Sequence, residues 1–141
     1  EEAATRDTIR DGWIYTGDLG YQDEDGYIFL SGRAKDFIKR GGEMISPEEV
    51  EQVLRSHPEL DDAAVIGVPD VEWGEEVRAV VVGQSDHVTE EQIIEFCRER
   101  LAGYKRPRSV IFVGELPRNV MGKVLKRDLR EEFSHPVENR D

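Results

Sequence analysis

Residues 32–51 read Gly-Arg-Ala-Lys-Asp-Phe-Ile-Lys-Arg-Gly-Gly-Glu-Met-Ile-Ser-Pro-Glu-Glu-Val-Glu. Four cations (Arg33, Lys35, Lys39, Arg40) precede the pair Gly41-Gly42, with Phe37-Ile38 as a short strand among them. A helix start follows, with Ser46 as N-cap, Pro47 at the first helical position and Glu49 closing a capping box. Such a stretch can bring positive charge to a phosphate-bearing ligand and let backbone approach it closely at the glycines. Composition alone equally allows a solvated strand, a turn and an ordinary helix.

Toward the C-terminus, the helix from Pro47 places Val50, Val53 and Leu54 on one face and stops at His57-Pro58. Ala63–Val68 and Val77–Val82 are apolar, β-branched runs expected as adjacent buried strands, joined by residues 69–75. Thr89 and Gln92 form a second capping box, whose helix turns Ile93, Ile94, Cys97 and Leu101 inward and ends at Gly103. A third buried strand is expected at Val110–Val113. Arg118–Lys123 is too polar to be core, and a last amphipathic helix turns Leu125, Leu129 and Phe133 inward, with a disordered tail from Ser134.

Toward the N-terminus, residues 13–31 are expected to form a hairpin. Trp13-Ile14-Tyr15 starts one strand, residues 23–26 turn, and Tyr27–Leu30 return. Residues 1–11 are a polar, frayed lead-in. Asp18, just after Gly17, suits either a ribose-binding carboxylate or a turn, and the residues alone favour the turn. The element order predicts an α+β fold, a small mixed β-sheet packed with about three helices and preceded by a β-hairpin.

A chain of 141 residues, 38% hydrophobic and 35% charged, suits one domain with a real core. No run approaches the roughly 18 apolar residues of a transmembrane segment, and no basic-then-apolar leader is seen, so a cytoplasmic protein is expected. Cys97, the single cysteine, sits at core spacing rather than as a nucleophile, and His57, His87 and His135 lack metal-ligand spacing. The net charge of −12 speaks against nucleic acid as a partner. Residues 104–130 reverse the balance, with eight basic side chains against Glu115 and Asp128. That arm suits a small anionic ligand, or equally a solvated face beside acidic neighbours.

Five stretches in order resemble the carboxy-terminal part of the adenylate-forming (AMP-binding) superfamily, which includes acyl-CoA synthetases. They are residues 12–19 (Gly-Trp-Ile-Tyr-Thr-Gly-Asp-Leu), 32–39, 41–51, 68–75 (Val-Pro-Asp and Gly-Glu) and 116–123 (Leu-Pro-Arg-Asn and Gly-Lys). The resemblance implies that residues 1–32 end a large adenylate-binding domain and 33–141 form its small mobile domain. Such enzymes activate a carboxylic acid with ATP and Mg²⁺ to an acyl-adenylate, then rotate the small domain so that a thiol attacks it. Asp18 and Arg33 are then similar to adenylate-binding residues, Lys35 to the hinge, and Lys123 to the catalytic lysine of the first step. Gly41 and Gly42 resemble the lining of the thiol tunnel. Lys39 resembles a lysine that some members use in the second step, with a solvated strand position the equal alternative.

In the CoA branch of the family, Tyr104, Arg106 and Arg108 fall where the CoA nucleotide is held, by stacking and by guanidinium contacts to phosphate. The expected parent is an acyl-CoA synthetase for a fatty or aryl acid. The alternatives are a non-ribosomal peptide adenylation domain using a carrier-protein thiol, or a non-catalytic interaction module of the same fold. The phosphate loop and acyl pocket of the large domain are not among these residues, so this polypeptide alone is expected to be inactive and to need that domain in cis.

Overall fold

The computed structural model describes residues 9–10, 13–14 and 16–135 and divides the chain into two compact units, Glu1–Lys35 and Asp36–Asp141. In the first unit β1 (Ile9–Arg10) pairs antiparallel with β2 (Trp13–Ile14), and β3 (Asp18–Gln22) with β4 (Ile28–Arg33). The turn between β3 and β4 is closed by Asp23, whose Oδ1 accepts the N–H of Asp25 at 3.0 Å and of Tyr27 at 2.9 Å. That closure sets Gln22 opposite Ile28, and the ladder runs on to Asp18 opposite Arg33. The expected pairing of Trp13–Tyr15 with Tyr27–Leu30 is therefore wrong, because residues 18–22 occupy that partner. Asp18 opens a strand rather than lying in a turn. Ile9 and Arg10 are paired where fraying was expected. The rest of the lead-in, Gly12, Tyr15 and the tail beyond His135 lie outside the described residues.

The second unit is built on a five-stranded sheet. Its centre is the long hairpin of β7 (Leu60–Asp70) and β8 (Gly74–Gly83), antiparallel over nearly its whole length. On the other edge of β8, β9 (Ser109–Phe112) pairs parallel with Arg78–Val81, and β5 (Ile38–Arg40) joins at Gly74. β6 (Glu43–Ile45), which was not expected, pairs with β5 through a turn at Gly41 and Gly42. Their φ values of 56° and 86° fit a type I′ turn, whose twist matches flanking strands and which only glycine-like residues adopt cheaply.

Consecutive residues of β7 and β8 bury on opposite faces, which is why these strands are apolar almost throughout. One face carries Ala63, Val65, Val77, Ala79 and Val81 against helices α1 (Pro47–Arg55) and α2 (Glu90–Arg98). The other carries Ala64, Ile66, Val68 and Val80 against Leu116 and Leu129, the latter on α3 (Lys126–Phe133). Complete burial of Val50 and Leu54 fixes α1, each contributing about 1.5–3 kcal/mol. The parallel pairing of β8 and β9 requires a crossover, which α2 provides.

The capping box expected at Thr89 and Gln92 is formed in both directions, at 3.2 and 3.0 Å. The one expected at Ser46 and Glu49 is not complete: Ser46 holds the N-cap position without a side-chain cap bond, and the Glu49 carboxylate takes Lys105 Nζ at 2.9 and 3.0 Å. α2 stops at Arg98, short of Gly103, because Arg106 donates from Nη2 to the Arg98 carbonyl at 2.7 Å and from Nε to that of Leu101 at 3.0 Å. Those carbonyls are satisfied without a further helical turn. Among the described residues no helix is long and apolar enough to cross a membrane.

Candidate functional site

The β3/β4 register puts Asp18 directly across from Arg33, and Arg33 Nη1 meets Asp18 Oδ1 at 3.1 Å. Asp18 Oδ2 has no hydrogen-bond or ion-pair partner among the described residues, so the pair offers a carboxylate acceptor beside a guanidinium. The chain reverses next to them, with the Ala34 N–H donating to the Gly17 carbonyl at 2.8 Å. Lys35 follows in a short 3-10 turn, Ala34–Asp36, exposed and at the last position of the first unit.

The glycine turn lies at the tip of the β7–β8 hairpin. Gly41 donates its N–H to the Trp73 carbonyl at 2.8 Å, and a Cβ on Gly41 would fall 2.7 Å from Trp73 Cε3. A Cβ on Gly42 would meet nothing within 4 Å. The Arg40 guanidinium lies 4.8 Å from the Trp73 ring centre, and Lys39 is anchored by its N–H to Glu75 Oε2 at 2.7 Å, its side chain exposed. Trp73 escaped the sequence reading, which takes Val-Pro-Asp and Gly-Glu on either side of it as one of the five stretches but gives the indole no role. Asp70 closes the hairpin by accepting the N–H groups of Trp73 and Glu72 at 2.8 and 2.9 Å. The Trp73 bond foremost holds its carboxyl below the ordinary range, with help from the charges of Arg108 and Arg40.

Arg108 is thus in electrostatic reach of the same tip, and its N–H donates to the Val77 carbonyl at 2.8 Å, near the start of β8. Tyr104 lies in a 3-10 turn, Gly103–Lys105, and is 37% exposed. Lys105 is committed to Glu49, a hydrogen bond that raises its pKa. Arg106 is largely occupied with the end of α2, leaving Tyr104 and Arg108 as the freer members of the expected nucleotide-holding set.

Lys123 lies in a different loop. Asn119 Oδ1 accepts the N–H of Met121 at 2.9 Å and of Lys123 at 3.0 Å, while the Asn119 N–H donates to the Lys123 carbonyl at 2.8 Å. Arg118 pairs with Val124 across the loop and donates to the Gly122 carbonyl at 2.7 Å. The backbone beneath Lys123 is therefore fixed, while its exposed ammonium makes no hydrogen bond or ion pair among the described residues. Asn119 could have been read from its Asn-x-x-Gly spacing as a side chain capping its own turn.

Arg118 also contacts Asp62, which pairs with Val82 at the far end of the hairpin from Trp73. From Asp62 to Asp70, at about 3.3 Å per residue, the strand spans roughly 25 Å. The glycine turn, Trp73 and Arg108 therefore occupy one end of the sheet, and the loop carrying Lys123 the other. Among the described residues no group of three His, Cys, Asp or Glu side chains is placed to hold a metal.

A family model for the AMP-binding enzyme C-terminal domain matches residues 49–123. A 2-succinylbenzoate–CoA ligase of Bacillus cereus (strain Q1) is 50% identical over 130 residues, covering 92% of this chain and 27% of the relative. A long-chain-fatty-acid–CoA ligase of Mycobacterium tuberculosis is 48% identical over 134 residues, 95% of this chain and 27% of that protein. Among solved structures, o-succinylbenzoate CoA synthetase from Bacillus subtilis, in complex with its acyl-adenylate intermediate, superimposes with a TM-score of 0.85 at 38% identity, covering 97% of this chain and 28% of that one. The chain thus spans about a quarter of the length of the proteins it resembles.

Proposed function

This chain belongs to the AMP-binding enzyme C-terminal domain family, and from that membership we propose that it is the carboxy-terminal part of an AMP-forming acyl-CoA synthetase acting on a fatty or aryl acid. The observation that carries the reading is the placement of two functional loops at opposite ends of one rigid sheet. An active site in a larger domain meets them in turn. Rotation about Lys35, the last residue of the first unit, exchanges one for the other.

In the first step the substrate carboxylate attacks the α-phosphorus of ATP and pyrophosphate leaves. Asp18 suits the ribose hydroxyls because its Oδ2 is open to accept, and Arg33 beside it suits the ribose and phosphate. Lys123 meets the charge that grows on the transferring phosphoryl oxygens, from a loop whose backbone is already fixed. Mg²⁺ is assigned to the part of the parent that this chain does not span.

In the second step the CoA thiolate attacks the acyl carbon and AMP leaves. Gly42 borders the path of the thiol arm, where open space and the lack of a side chain leave room for a thin chain. Tyr104 and Arg108 hold the nucleotide end, with Arg108 the freest cation for its phosphate and Arg106 bracing the turn through the end of α2, and Lys39 faces the reacting thioester. The parent acts in the cytoplasm. The test is carboxylate-dependent pyrophosphate release by the full-length parent across fatty and aryl acids, followed by transfer to CoA. Transfer only to a carrier-protein thiol would assign it to the peptide adenylation domains, and no pyrophosphate release with any acid would leave a non-catalytic module.

A further inference from the structure

The loop carrying Lys123 has two stems, and one chain of charges grips both. At the first stem Arg118 binds Asp62 on β7. At the second, Lys126, the opening residue of α3, binds Glu51 on α1. Arg55 joins the two carboxylates, with Nη2 3.7 Å from Glu51 Oε2 and Nε 3.8 Å from Asp62 Oδ1, and it donates to the Ala63 carbonyl at 3.1 Å. Glu51 is 4% exposed, and its Oε1 also accepts the Val65 N–H at 3.0 Å, so the network is rooted in the sheet. The sequence Lys126, Glu51, Arg55, Asp62, Arg118 alternates in sign and leaves neither carboxylate without a cation.

A buried carboxylate is retained at a desolvation cost, and an apolar residue at position 51 would fill the space between α1 and the sheet without it. What the charges add is direction: Arg118 is held by Asp62 while its other Nη donates to the Gly122 carbonyl, one residue before Lys123. Releasing Asp62 frees Arg118 and with it the Gly122 carbonyl, so the Asn119 turn opens more often and its loop swings. Displacing a charge-stabilising group by about 1 Å can cost on the order of 10²-fold in rate.

We propose that Asp62 and Glu51 are positioning residues for Lys123, clamping both stems of its loop so that the ammonium meets the α-phosphate in register. The inference rests on the adenylation role given to Lys123. Two measurements on the full-length parent separate the two claims.

The first measurement is amide hydrogen exchange. Asp62→Asn, which keeps size but removes the charge facing Arg118 and Arg55, is expected to speed exchange at Met121 and Lys123 at least tenfold and leave the β7–β8 amides unchanged. The second is single-turnover adenylate formation. Asp62→Asn is expected to slow it about tenfold with KM for ATP nearly unchanged, and Asp62→Glu to restore most of the rate. Asp62→Asn is expected to cost less than twofold when Lys123→Ala is already present, because residues acting as a unit are not additive. Glu51→Gln, which retains an acceptor for Val65, is expected to follow the same pattern. Unchanged exchange in the loop overturns the clamp, and so does a full rate loss that persists in the Lys123→Ala background. If exchange rises but Lys123→Ala adenylates normally, the clamp stands as structure, and both the role of Lys123 and the positioning role that depends on it are refuted.

Discussion

Gly41→Ala and Gly42→Ala distinguish a glycine required by packing from one required by backbone conformation alone. At Gly41, φ is 56°, in the left-handed region, where a non-glycine residue costs about 1–2 kcal/mol. Its new Cβ would fall 2.7 Å from Cε3 and 3.2 Å from Cζ3 of Trp73, so the indole must move. Moving it forfeits the cation–π contact with Arg40 at 4.8 Å, about 0.5–1 kcal/mol for a partly exposed pair. Together these predict a loss of about 1.5–3 kcal/mol for Gly41→Ala, against about 1–2 kcal/mol for Gly42→Ala, which carries backbone strain only. Urea denaturation of each variant reads both values. In a Trp73→Ala background Gly41→Ala should cost only its backbone strain, since the obstructing ring is gone. Equal losses at Gly41 with and without Trp73 would refute the packing argument. The distinction matters for function, because it makes Gly42 the position where a larger side chain acts on what lies outside the sheet.

Three further outcomes follow from the same geometry. The 141-residue chain by itself is expected to melt cooperatively and to release no pyrophosphate in the presence of ATP and any carboxylic acid; measurable turnover would contradict the assignment of the ATP phosphates and metal to the rest of the parent. In the parent, Arg108→Ala should raise KM for CoA but not for ATP and remove most of the disadvantage of 3′-dephospho-CoA, whereas Arg106→Ala should mainly lower stability, by about 2 kcal/mol, through two carbonyls left without their charged donor. Cys97 is fully buried, and burial pushes its thiol up to about 11, so the fold holds the proton that the unfolded chain releases. Stability is therefore expected to fall between about pH 9 and 11 in thermal melts at fixed ionic strength, and this part of the fall should be absent in Cys97→Ala.

The parts of the fold legible in the sequence are those where local pattern and tertiary demand agree. The runs at 63–68 and 77–82 are apolar on both faces because helices cover both, and Thr89 with Gln92 closes its own cap whatever lies nearby. The failures occur where a distant partner wins. Glu49 is drawn to Lys105, 56 residues away, and α2 ends early because Arg106 reaches back to it. The β3–β4 register was misjudged because Asp18 opens a strand that displaces Trp13–Ile14 as the partner of β4. The glycine pair is a type I′ signal, but β6 is not legible, since of Glu43, Met44 and Ile45 only Ile45 is buried and nothing local marks so short a polar stretch as a strand. Of the candidate site, the sequence named the residues but not their arrangement. Nothing local shows that Lys123 and Gly42 stand at opposite ends of a hairpin, because that separation is set by the lengths of β7 and β8 and by Arg118 finding Asp62.

The claim that the two loops serve successive half-reactions is tested most directly by single-turnover assays of each step on Lys123→Ala and Gly42→Leu in the full-length parent. Lys123→Ala is expected to slow adenylate formation on the order of 10²-fold or more, as loss of an electrostatic donor does, and to leave thioester formation from a synthetic acyl-adenylate nearly intact. Gly42→Leu is expected to do the reverse, its side chain obstructing the thiol only after rotation. Slowing of the same half-reaction by both substitutions, to similar extents, would show that the loops work in one conformation and contradict the alternating assignment.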